Sequence, residues 1–137
     1  MRVYPDTNVL VSAMATRGLC ADLLQVIFAD HELLVGETVL IEVVRVLDRK
    51  LHLAPKTVVE WEAFLRRQGE VIPKAPPLSL RIRDASDRAI LAEAVAGRAD
   101  VLVTGDRDLL IVAPRAPIRI QSPREFWEQL RSAKHEP

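Results

Sequence analysis

The sequence predicts an α/β protein, a three-layer α/β/α sandwich around a mostly parallel central sheet. Three observations lead there. Strand-like and helical segments alternate along the chain, as βα units require. The segment "DVLVTG" (100–105) holds a fully apolar strand core, the mark of a strand buried on both faces. Finally, 137 residues that are 49% hydrophobic and 28% charged suffice for one domain, 1–137, with a substantial core.

The elements follow in order. "RVYP" (2–5) is a short strand candidate, and "ADLLQVIFAD" (21–30) reads as a helix leading to the strand "ELLV" (32–35). "ETVLIEVVRVLDRKL" (37–51) has helical length and periodicity. "PKTVVEWEAFLRRQ" (55–68) opens with Pro55 at a favoured first position and stops at Gly69. The Pro-rich "VIPKAPPLSL" (71–80) reads as a connector between two halves of the domain. In "RDASDRAILAEAVAG" (83–97), Asp84 or Ser86 can cap a helix over 85–96 with an apolar stripe of Ile90, Leu91, Ala94 and Val95. A weak strand "IRI" (118–120) precedes the helix "SPREFWEQLRSA" (122–133), opened by Ser122 and Pro123.

Composition excludes several classes. Nineteen basic residues offset nineteen acidic ones, so no global field draws the chain to nucleic acid or membrane. The basic set holds far more Arg than Lys, which suits forked phosphate contacts or reflects base composition of the gene. Cys20 is alone, so an internal disulfide is excluded and a reducing cytoplasm is expected, with no signal-peptide pattern and no long apolar span. His31, His52 and His135 are scattered, which argues against a zinc site.

The chemistry gathers in acids. Ligands of open α/β sheets sit beyond the carboxyl ends of strands. The first strand ends in Asp6, Thr7 and Asn8, and the strand at 100–103 leads to Thr104, Asp106 and Asp108. The helix at 85–96 feeds that second strand and brings Asp84 and Asp87 to the same edge. Asp87 shares a face with Ile90 and Leu91, which places a carboxylate on the packing side. Glu42 interrupts the apolar run "VLIEVVRVL". Taken singly, Asp6 and Asp106 serve as helix caps, Asp87 and Asp108 as first-turn acids, and Glu42 as a partner of Arg45 and Arg49. Taken together they converge. Two carboxylates about 4 Å apart repel by roughly 4 kcal/mol at an effective dielectric near 20, and a hard divalent cation, Mg²⁺ or Mn²⁺, relieves this.

At these residues the chain resembles the PIN-domain family of metal-dependent ribonucleases. The resemblance is carried by "DTNVLVSA", the Glu within "TVLIEVVRVL", "RDASDRAIL" and "VLVTGDRDLL", in that order over nearly the whole chain. It implies Asp6, Glu42, Asp87 and Asp106 as metal-binding and catalytic acids, with Asn8, Thr104 and Asp84 as polar supports. In the family's Asp-Pro-x-Asp pattern, Ala85 here replaces the Pro. The motif spelling is most similar to the small single-domain toxins of toxin–antitoxin pairs (VapC-type), which implies an RNA substrate and an antitoxin partner. Arg81, Arg83, Arg88 and Arg107 flank the acidic motifs and are candidate RNA-phosphate contacts, or plain surface charge. The alternative function is a PIN fold that binds RNA or protein without cutting.

Two other classes fall on the residues. A phosphoacceptor receiver domain requires a paired acidic start and a late Lys, but residues 3–9 hold one acid and residues 107–121 no Lys. A haloacid-type phosphatase requires Asp-x-Asp after the first strand, where position 8 is Asn. The helix 55–68 carries Val58, Trp61, Phe64 and Leu65 on neighbouring faces. A homodimer or an antitoxin groove is expected there, with internal packing as the alternative.

Overall fold

Apolar runs on consecutive strand residues decide the architecture. In the computed structural model, which describes residues 1–134, β1 is Arg2–Pro5, β2 Glu32–Gly36, β3 Glu70–Ile72, β4 Val101–Val103 and β5 Arg119–Gln121. Val3 and Tyr4, Leu33 to Val35, and Val101 to Val103 are all buried without alternation. A strand whose successive side chains are all buried needs cover on both faces, and helices provide it. The five strands form one parallel sheet in the order β3-β2-β1-β4-β5. The predicted three-layer α/β/α fold is therefore present, and its sheet is wholly parallel.

Among the described residues the α-helices are α1 Thr7–Ala15, α2 Leu19–Asp30, α3 Glu37–Arg49, α4 Pro55–Gln68, α5 Ala85–Ala96 and α6 Arg107–Val112, which lie between strands, and α7 Pro123–Lys134, which follows β5. Their starts carry recognisable chemistry. Asp6, Asp84 and Asp106 cap α1, α5 and α6 with their carboxylates. Ser122 and Glu125 close a reciprocal capping box on α7, at 3.1 and 3.0 Å. Pro55 begins α4 and Gly69 ends it, as the residues predict.

The connector expected at 71–80 is shorter than it reads. Val71 and Ile72 pair with Val35 and Gly36 as part of β3 before Pro73 ends the ladder. Part of the apolar face of α4 packs inside the molecule. Val58 and Leu65 are buried, Trp61 packs against the core, and Phe64 meets Phe28 edge to face at 5.7 Å. Internal packing, the alternative to a homodimer or antitoxin groove, thus accounts for part of this face, while Trp61 and Phe64 stay partly exposed and Val59 is exposed. His135 lies outside the described residues. Among those residues, no single helix is long and apolar enough to cross a membrane.

Gly36, between β2 and α3, is required by close approach. A Cβ there would collide with the Tyr4 hydroxyl and stand 2.5 Å from Glu93 Oε1. Gly36→Ala is expected to cost about 1–3 kcal/mol through overpacking, read as a lower urea midpoint at unchanged slope.

Candidate functional site

The order of the sheet reverses at β1. From β1 the chain moves outward through β2 and β3, and then returns to lay β4 and β5 on the other side. The crevice at such a reversal opens beyond the strands' carboxyl ends, between β1 and β4. Asp6 stands at this point, its backbone N–H bonded to Val103 O at 2.9 Å. One carboxylate oxygen of Asp6 accepts from Val9 N at 3.0 Å and so caps α1, while the other accepts from the Thr104 hydroxyl. Thr104 is fully buried and its hydroxyl oxygen also accepts from Asp106 N, at 2.9 Å. Asp106 in turn caps α6 by accepting from Asp108 N at 2.8 Å. The capping and site readings of Asp6 and Asp106 hold together, because each carboxylate has two oxygens.

Asp87, on α5, converges with Asp106 and Asp108, a group to which Asp6 and Glu42 do not belong. The Asp87 side chain is buried at 6% exposure, and Asp84 holds the turn before it by accepting from Asp87 N at 3.1 Å. Carboxylate oxygens of Asp87, Asp106 and Asp108 lie within 4.8 Å of one another. Asp87 Oδ2 is buried with no hydrogen-bond partner. Burial, followed by the charges of Asp106, Asp84 and Asp108, pushes the Asp87 carboxyl up to about 7. Burial likewise raises Asp6, against the lowering effect of its bonds from Thr104 and Val9. Asp108, which reads from sequence as a first-turn acid, is a member of the cluster.

Glu42 reaches the site through its neighbours. From α3 its Oε1 accepts from Ser86 at 2.8 Å and from Thr7 at 3.3 Å, the residues adjoining Asp87 and Asp6. Glu42 thus turns inward to hydroxyls. Asn8, expected as a polar support, is exposed on α1, and Thr7 takes the supporting contact. Thr7 and Ser86 were not singled out as site residues, although each adjoins a motif acid. Asp84 is exposed and acts on the backbone.

The four arginines divide. Arg88 commits its guanidinium to Ile82 O at 2.6 Å and Arg83 O at 3.2 Å, which fixes the loop before α5. Arg81, Arg83 and Arg107 are exposed, and Arg83 stands 3.5 Å from Asp108. Leu80, Arg81, Ile82, Arg83 and Arg88 line a cavity of about 500 Å³. A cavity of about 780 Å³ at the strands' amino ends is lined by Arg2, Glu70 and Gly97 among others. There Arg2 is already bound to Glu32, Glu70 and Gly97 O at 2.8, 2.5 and 2.6 Å. The unpartnered Asp87 Oδ2 singles out the carboxyl edge as the candidate site.

A family model described as a PIN domain matches residues 2–108. The chain belongs to the PIN domain family. Solved structures agree on the fold. VapBC2 from Rickettsia felis, bound to a DNA fragment from its promoter, is 19% identical with a TM-score of 0.62, over 89% of this chain and 98% of that one. VapBC-1 from nontypeable Haemophilus influenzae is 15% identical with a TM-score of 0.64, over 90% and 99%. FitAcB from Neisseria gonorrhoeae is 17% identical with a TM-score of 0.62, over 88% and 97%. Comparison with curated proteins gives no match.

In this PIN domain the donor set fits a hard divalent cation. Three oxygen donors converge, and the unpartnered Asp87 Oδ2 is the kind of buried acceptor that a cation satisfies. The metal-free protein carries a definite pH signature. Asp87 keeps its proton in the fold up to about 7, against an ordinary 3.8. Folding therefore takes up a proton between these values, and the Asp87 contribution to stability is lost as pH rises from about 4 to about 7. Asp87→Asn should flatten that slope and melt a few degrees above wild type near pH 8 in chelator. Thermal melts of both proteins across this range check it.

Proposed function

We propose that this PIN domain is a Mg²⁺- or Mn²⁺-dependent endoribonuclease that hydrolyses RNA phosphodiester bonds, of the VapC type, and acts as the toxin of a toxin–antitoxin pair. The observation that carries the nuclease reading is the buried, unpartnered Asp87 Oδ2 within a three-carboxylate cluster at the sheet's reversal point. The partner reading is supported by the similarity to VapBC complexes. In this reading Asp6, Glu42, Asp87 and Asp106 hold the cation directly or through water, and Asp108 joins them. When bound, such an ion activates water and stabilises charge on a phosphoryl group.

The chain's own residues do the rest. Thr104 ties Asp6 to the backbone of Asp106 and so fixes the two strand-end acids relative to each other. Ser86 and Thr7 orient Glu42. Arg81, Arg83 and Arg107 stand exposed to meet phosphates flanking the scissile bond, while Arg88 shapes the loop that presents the first two.

Asp6→Asn and Asp106→Asn should each lower Mn²⁺-dependent RNA cleavage by about a hundredfold or more while circular dichroism stays native. Cleavage by either variant at the wild-type rate, with contaminating nuclease excluded, would refute the assignment. RNA retention without cleavage by wild type would instead indicate a binding module. Growth arrest on expression, relieved by co-expressing the neighbouring reading frame, checks the toxin reading.

Metal should also stabilise the fold. At a hundredfold excess over its dissociation constant, Mn²⁺ is expected to add about 2.7 kcal/mol. That appears as a rise of several degrees in melting temperature, which Asp106→Asn should lose.

A further inference from the structure

A second buried carboxylate lies beside Tyr4. Glu93, on α5, is fully buried, and its Oε1 accepts from Thr38 N at 2.9 Å while its Oε2 accepts from the Thr38 hydroxyl. Thr38 is the second residue of α3. The cap position of that helix is Gly36, which brings no side chain to the open N–H groups of the first turn. Glu93 therefore caps α3 from a different helix, with its carboxylate at the positive end of the helix dipole. The close packing at Gly36 makes room for it.

The same two helices touch again at the acid cluster. Thr38 and Glu42 are one turn apart on one face of α3, and Ser86 and Glu93 are two turns apart on one face of α5. The pairs Thr38–Glu93 and Glu42–Ser86 are two rungs between α3 and α5, one at the buried Glu93 and one at the candidate site. A slip of α3 by a single residue, about 1.5 Å along its axis, would break the 2.8 Å contact of Glu42 with Ser86. Nothing in the apolar packing of Val39, Leu40 and Val43 specifies that register as sharply as a paired hydrogen bond does.

We propose that Glu93 is a positioning residue that clamps the first turn of α3 onto α5 and thereby sets Glu42 against Ser86 at the rim of the acid cluster. The proposal rests on the nuclease reading only in taking Glu42 as one of the metal-holding acids.

The test uses Glu93→Gln, which keeps the shape and removes the charge, and Thr38→Val, which removes the hydroxyl and keeps the backbone bond. Leu65→Ala, a core truncation elsewhere, serves as a control for lost stability. The first readout is the Glu42 carboxyl ¹³C resonance in the metal-free protein. The second is Mn²⁺ affinity by calorimetry. Both α3–α5 variants should shift the resonance and weaken Mn²⁺ binding by about tenfold, as expected when the support of a ligand is lost. Leu65→Ala should do neither. An unmoved Glu42 resonance in the folded variants would overturn the proposal. If Glu93→Gln fails to fold, Thr38→Val decides alone. A wild type that binds no Mn²⁺ would sink the nuclease reading, while the metal-free resonance would still decide this one.

Discussion

Helix N-termini brought to one sheet edge are the constraint on which the rest of the site depends. Asp6, Asp84 and Asp106 each cap a helix, so α1, α5 and α6 all begin beside the acid cluster. Unsatisfied N–H groups and dipoles there supply positive potential where carboxylates would otherwise repel one another. One oxygen of a capping carboxylate is used in this way, which leaves the other for a second contact, as Asp6 makes with Thr104. The wholly parallel sheet makes such convergence unavoidable. Every strand ends at the same edge, and the helices after β1 and β4 start side by side because those strands are neighbours. Capping and the gathering of acids are thus the same device seen from two sides.

That double use explains what the sequence made legible. Caps, stop signals and apolar runs are local, so the fold class and the helices of α2 to α5 follow from a few residues each. The four acids Asp6, Glu42, Asp87 and Asp106 stood out because each sat at a strand end or broke an apolar pattern. β3 did not, since three residues before a proline show no usable alternation and its pairing with β2 is a non-local fact. Asp108 was hidden by its own adequacy as a first-turn acid. Thr7 and Ser86 were hidden because a hydroxyl beside a helix start reads as a capping residue, and only the approach of α3 turns them toward Glu42.

Long side chains were the least legible. Arg88 and Arg83 lie five residues apart in one motif, but Arg88 binds two backbone carbonyls while Arg83 remains exposed near Asp108. A guanidinium can serve either purpose, and loop geometry decides. The apolar face of α4 makes the same point, since its use depends on Phe28 of α2, distant in sequence.

Burial alone does not distinguish an unsatisfied acid from a satisfied one. Glu93 is more deeply buried than Asp87, and burial raises the pKa of both. The difference lies in the partners. Glu93 receives two hydrogen bonds from Thr38, which oppose the rise, and its like-charged neighbour Glu37 is weighed against Lys74. Asp87 has an oxygen with no donor and three acids acting on it. A satisfied carboxylate fixes geometry, whereas an unsatisfied one among like charges is held in place at a free-energy cost that a cation would relieve. Tyr4 is held neutral beside Glu93, its hydroxyl pushed up by burial and by the charges of Glu93, Glu42 and Asp6. The satisfied and the unsatisfied carboxylate therefore lie on one helix, α5, and only their partners set them apart.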